Sequence, residues 1–135
     1  MKNIQPTYTT FEQAKLLKEK EWQQRTKIVW LDSLGKQHLI KINLSLELNN
    51  DEYDAPEQWQ VIEWLRVNHG IHVEVSCDVY GKLWFVKLEV CSKEVWDDLD
   101  KRHNILTANR KFINEHKSKQ EAYSAAFDYI LNKLI

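Results

Sequence analysis

His69 and His72 are the residues that most directly invite a metal reading, because imidazoles three positions apart can share one cation. Zinc needs three or four ligands with a supporting shell. The nearest further donors are Cys77 and the acids Asp51, Glu52 and Asp54, and no motif spacing ties them to the pair. His69 falls at the expected C-terminus of a helix, where positive charge suits the dipole. His72 falls on the polar face of an expected strand. Both are read as structural or solvent-facing, and neither a metal nor a cofactor is expected.

The acidic clusters read the same way. Asp51, Glu52, Asp54 and Glu57 precede a helix, where negative charge is favoured and Asp54 fits the cap. A calcium loop needs alternating ligands, a glycine and a distal glutamate, a pattern absent here. Asp97, Asp98 and Asp100 could suggest paired catalytic carboxylates, but in so charged a segment a solvated face fits better. The three glycines stand apart at 35, 70 and 81, so no phosphate-cradling loop exists. No motif spacing pairs Cys77 or Cys91 with a histidine as a catalytic base. Cys77 lies on the apolar face of its expected strand, which implies an inert thiol. A hairpin turning near Gly81 sets Cys77 opposite Val86 and Cys91 opposite His72, so the two thiols do not meet. No catalytic residue is assigned.

Two binding chemistries remain. The stretch 101–119 holds Lys101, Arg102, Arg110, Lys111, Lys117 and Lys119 against the acid Glu115, together with Phe112. Basic groups with an aromatic can hold phosphates and stack a base. Glu94, Asp97, Asp98 and Asp100 lie directly upstream and offer those bases internal partners. The other chemistry is aromatic. Six tryptophans in 135 residues is a high content, and exposed tryptophan often anchors protein interfaces. Trp59, early on its helix between Gln58 and Gln60, and Trp96, near a helix end or in the ambiguous 93–117 segment, are the candidate protein-interface residues.

The elements that must carry these groups follow from periodicity. Thr10-x-x-Gln13 is a capping box opening a helix with Phe11, Ala14, Leu17 and Trp22 near one face. Strands are expected at Lys27–Leu31 and Ile40–Leu48, joined through the turn Asp32–Gly35. The second alternates apolar and polar over its whole length. Asp54-x-x-Glu57, with Pro56 in the first turn, opens a helix that ends at His69 with Gly70 behind it. Ile71–Val79 and Leu83–Cys91 form a second hairpin. Residues 93–117 read ambiguously as helix, two helices or part strand at 110–113. Ser118-x-x-Glu121 caps a last helix bearing Tyr123, Phe127, Ile130, Leu131 and Leu134. The order α-β-β-α-β-β-(α)-α implies an α+β fold, with a mostly antiparallel four-stranded sheet covered by helices, in a single domain spanning 1–135.

Composition bounds the function. Apolar residues make up 43% and charged residues 29%, with a net charge of -1. Such a balance argues against a chain built mainly to grip nucleic acid or an anionic membrane. No apolar run approaches the roughly 20 residues that span a bilayer, and the start MKNIQPTYTTF has no apolar core of a signal peptide. Two cysteines are too few for a disulfide scaffold, so a cytoplasmic setting is expected.

Three stretches carry a resemblance: Ala55 to Ile71 (APEQWQVIEWLRVNHGI), Glu121 to Leu131 (EAYSAAFDYIL) and Thr10 to Lys20 (TFEQAKLLKEK). Together they resemble a family of small uncharacterised proteins encoded by Bacteroides-type bacteria, their phages and their mobile elements. The resemblance implies a small cytoplasmic accessory protein of mobile-element origin. It implies no activity and no site. The sequence therefore points to a non-enzymatic module that binds another protein. The alternatives are nucleic-acid binding through 101–119, and a small-molecule binder or enzyme whose site is assembled from residues distant in sequence.

Overall fold

The capping box forms as the sequence requires. The Thr10 hydroxyl accepts from the Gln13 N–H and the Gln13 side chain accepts from the Thr10 N–H, opening α1 (Phe11–Glu19). The computed structural model describes residues 5–111 and 115–135, without the side chain of Lys111. The chain continues as β1 (Ile28–Ser33), β2 (Lys36–Lys41), β3 (Glu52–Asp54), α2 (Gln58–His69), β4 (Ile71–Cys77), β5 (Trp84–Val90), α3 (Lys93–Asp97), α4 (Leu99–Lys111) and α5 (Lys119–Tyr129), ending in a π-helical turn at Ile130–Leu134.

The α+β class holds, but the strands form two antiparallel sheets rather than one four-stranded sheet. The contacts divide the chain into two compact units, 1–57 and 58–135.

In the first unit the strand order is β2-β1-β3. Trp30 pairs with Leu39 on one side and Tyr53 on the other. Phe11 of α1 packs edge-on against both Trp30 and Tyr53, at 6.1 and 5.5 Å between ring centroids. The strand expected over Ile40–Leu48 stops at Lys41. The Asn43 side-chain oxygen accepts from both the N–H and the hydroxyl of Ser45, and this Asx turn competes with the ladder. Leu44 and Leu46 are consequently exposed.

Asp54 does not cap α2. It ends β3, where its carboxylate accepts from the Thr26 N–H and hydroxyl and pairs with Arg25. The helix begins four residues later, at Gln58.

In the second unit, β4 and β5 form a hairpin whose buried face carries Ile71, Val73, Val86 and Leu88. α2 and α5 pack on β4, and α4 packs on β5. Val61, Leu65, Phe127, Ile130 and Leu131 complete the core. Each such side chain contributes roughly 1.5–3 kcal/mol by leaving water. The register differs from the expected one by two residues, because the chain turns at Asp78–Gly81. Cys77 faces Trp84, and the Cys91 N–H donates to the Gly70 carbonyl. The thiols still do not meet. Cys77 is exposed rather than buried, since β4 runs out past the core after Val75.

Residues 93–111 are helical throughout apart from a break at Asp98. Ser92 caps α3 through the Val95 N–H, and Asp98 accepts from the Lys101 N–H to start α4. Arg110 and Lys111 are therefore helix, while positions 112 and 113 of the considered strand lie outside the described residues. Ser118 caps α5 through the Glu121 N–H, and Glu121 reaches back to the Lys117 N–H.

Candidate interaction surface

Gly70 sets the geometry of the site. It follows α2 with a left-handed φ of 65°, as a residue behind a helix end commonly does. A Cβ there would lie 2.3 Å from the Ser92 Oγ and 2.9 Å from the Val95 Cγ2. The absent side chain lets the end of α2 sit directly on the start of α3. Around this junction lies a cavity of about 650 Å³. Its apolar wall comes from Val67, Ile71, Val95, Ile105, Leu134 and Ile135. Its polar margin comes from Asn68, His69, Ser92, Glu94, Lys101 and Asn104. The size and the mixture of an apolar body with a few polar groups are those of ligand and side-chain pockets.

Trp96, next in the chain to the lining residues Glu94 and Val95, is 55% exposed. It is nevertheless held. The Arg102 guanidinium lies 4.7 Å from the Trp96 ring centroid and donates to the Trp96 carbonyl at 3.2 Å. A contact of this kind contributes about 0.5–1 kcal/mol at an exposed site. Leu99 and Leu106, seven residues apart on one face of α4, are also exposed. An ordered, exposed indole close in the chain to exposed leucines matches the anchor residues of protein interfaces.

The other candidates are dispersed. Trp59 is 62% exposed but sits in the first turn of α2, about 15 Å along the axis from His69 by helical rise. The basic stretch does not gather on one face. Lys101 lines the cavity, Arg102 covers Trp96, and Arg110 follows Lys101 by about 2.5 turns, on the opposite side of α4. Lys117 is exposed before α5, and Lys119 lies over the Tyr123 ring at 5.9 Å. Phe112 and the Lys111 side chain lie outside the described residues.

The histidines separate as well. His69 lines the cavity and packs edge-on against Trp64 at 4.6 Å, while His72 stands opposite Glu89 in the hairpin. Among the described residues no group of three or more His, Cys, Asp and Glu side chains is placed to hold a metal ion. The acids before α2 each have separate work: Asp51 accepts from the Asp32 N–H through its carbonyl, Glu52 accepts from the Asn49 N–H, and Asp54 holds Thr26. Asp97 pairs with Lys93, and Asp98 caps α4.

Charge on the outer face of the hairpin and α2 is locally matched. A hydrogen bond from Arg66 holds the Glu63 carboxyl below its ordinary value, and one from Lys87 does the same for Glu89. Burial pushes the Cys91 thiol up, which keeps it protonated and weakly nucleophilic at neutral pH.

The cavity was not readable from the sequence because its wall comes from four separate stretches. The one local signal was Ser92, a cap residue directly after a strand. Among the described residues no helix is long and apolar enough to cross a membrane. Comparison with protein-family models, curated proteins and solved structures finds no match.

Proposed function

We propose that this protein is a non-enzymatic interaction module whose α3–α4 surface receives another protein. The observation that carries this reading is Trp96, exposed yet clamped by Arg102, three residues before exposed Leu99 and next in sequence to the wall of an apolar cavity. A partner would cover Trp96 and Leu99 and place an apolar side chain in the cavity, with Lys101, Glu94 and Asn104 at the polar rim. Such an arrangement concentrates binding energy in a few residues and uses the rim to exclude water. The divergence of Lys101 and Arg110 favours this reading over a phosphate-tracking groove. A cytoplasmic accessory role of phage or mobile-element origin rests on the resemblance of the three helical stretches.

The test is affinity capture of the full chain from Bacteroides-type lysate, with and without nuclease, beside the double variant Trp96→Ala/Leu99→Ser. The expected result is one stoichiometric protein that survives nuclease and is lost from the variant. Recovery of nucleic acid alone, or of the same proteins by both baits, contradicts the proposal.

A further inference from the structure

The two sheets treat their outer edges differently. The outward backbone groups of β5 are engaged at two points. The Asn109 side chain accepts from the Leu88 N–H at 2.8 Å and donates to the Leu88 carbonyl at 2.7 Å. The His116 backbone exchanges hydrogen bonds with Trp84 at 2.8 and 2.9 Å. Covering an edge in this way removes a template for strand addition.

Among the described residues the β2 edge has no such cover. The Ile42 N–H donates to the Lys27 carbonyl, so by alternation Lys36, His38 and Ile40 direct their backbone groups to β1. Gln37, Leu39 and Lys41 direct theirs away from it. All three are exposed, and their outward backbone groups have no backbone partner among the described residues. Leu39 itself is 40% exposed.

We propose that β2 pairs antiparallel with β2 of a second copy of this chain, about a two-fold axis at Leu39. This register uses all three outward residues as hydrogen-bonded pairs: Leu39 with Leu39, and Gln37 with Lys41, each exchanging both N–H···O=C bonds. The intervening pairs set His38 beside Ile40. No like charges stand directly opposite, the condition a stable cross-strand pair requires. Centring the axis on Gln37 or Lys41 instead shortens the ladder, and at Lys41 it opposes two lysines. The two three-stranded sheets would become one six-stranded sheet, β3-β1-β2-β2-β1-β3, with Leu39 meeting its counterpart. An isologous contact of this kind closes as a dimer and does not propagate.

The test is sedimentation equilibrium of the full chain from about 10 µM to 1 mM, with amide exchange at Leu39. A dimer contact of this modest size is expected in that range. The wild-type chain should move toward twice its 16.2 kDa mass, and Leu39 exchange should slow as concentration rises. Leu39→Lys and Leu39→Glu each set like charges at the axis, so each alone should remain a monomer. Circular dichroism should show both folded, because the side chain is exposed. An equimolar mixture of the two should recover the dimer through the Lys–Glu pair. A wild-type monomer at 1 mM, or single variants that still dimerise, overturns the proposal.

Discussion

Asn109 is a single side chain that completes the edge of a strand, and its removal is calculable. Leu88 is only 3% exposed, and its N–H and carbonyl both bond to the Asn109 amide, at 2.8 and 2.7 Å. Asn109→Ala deletes both partners and leaves two backbone groups shielded from water. Each unsatisfied group costs about 1–3 kcal/mol, giving about 3 kcal/mol in total if water reaches one of them in part. For a unit of this size that lowers the thermal midpoint by roughly 12–24 °C. The assay is urea unfolding followed by tryptophan fluorescence, with Asn104→Ala as the control. Asn104 is exposed on the same helix, so its loss should cost under about 0.5 kcal/mol. Asn109→Asp adds a sign test. A carboxylate accepts from the Leu88 N–H but opposes its carbonyl, whereas the protonated acid can donate again. The folded state therefore raises that carboxyl pKa, and the deficit of Asn109→Asp should shrink as pH falls. A cost for Asn109→Ala no greater than for Asn104→Ala would refute the reasoning.

Gly70→Ala should destabilise by about 2–4 kcal/mol in the same assay, from left-handed strain together with the 2.3 Å approach to Ser92. Trp96→Ala should cost less than about 1 kcal/mol, because the indole is half in water, so lost binding can be separated from lost folding. Glu63 and Glu89 have depressed folded pKa values. Their contribution is present above the ordinary carboxyl value and is lost as pH falls through the folded one. The urea midpoint should therefore drop as pH falls below the ordinary carboxyl value, and Glu63→Gln should flatten part of that slope. Alkylation of Cys91 in a Cys77→Ser background should reach half its maximal rate above the ordinary thiol pKa, since burial raises it.

Local signals in the sequence carried as far as local physics reaches. The caps at Thr10 and Ser118 and the helix stop at Gly70 form where side-chain oxygens and a left-handed glycine require them. The alternation over Ile40–Leu48 failed as a strand because periodicity does not register Asn43, whose side chain captures Ser45 and turns the chain. Asp54-x-x-Glu57 reads as a cap, yet Thr26 and Arg25, about 28 residues upstream in sequence, claim the carboxylate. The second hairpin turns at Asp78–Gly81 and its register shifts by two residues, which keeps every side chain on its face, while Cys77 is exposed because β4 runs past the core. The cavity joins α2, α3, α4 and the final turn, and nothing in a linear pattern announces that meeting. The exposure of Trp59 is legible from its polar neighbours, whereas the clamp of Trp96 by Arg102 depends on the helix break at Asp98.

The central claim is that Trp96 and its neighbours contact a protein. The most direct measurement places a photoreactive residue at exposed Leu99, keeps Trp96, and irradiates in Bacteroides-type cells. The expected result is one discrete protein adduct, insensitive to nuclease, that disappears when Trp96→Ala is added. An adduct to nucleic acid, no adduct at all, or a protein adduct indifferent to Trp96→Ala would contradict the account.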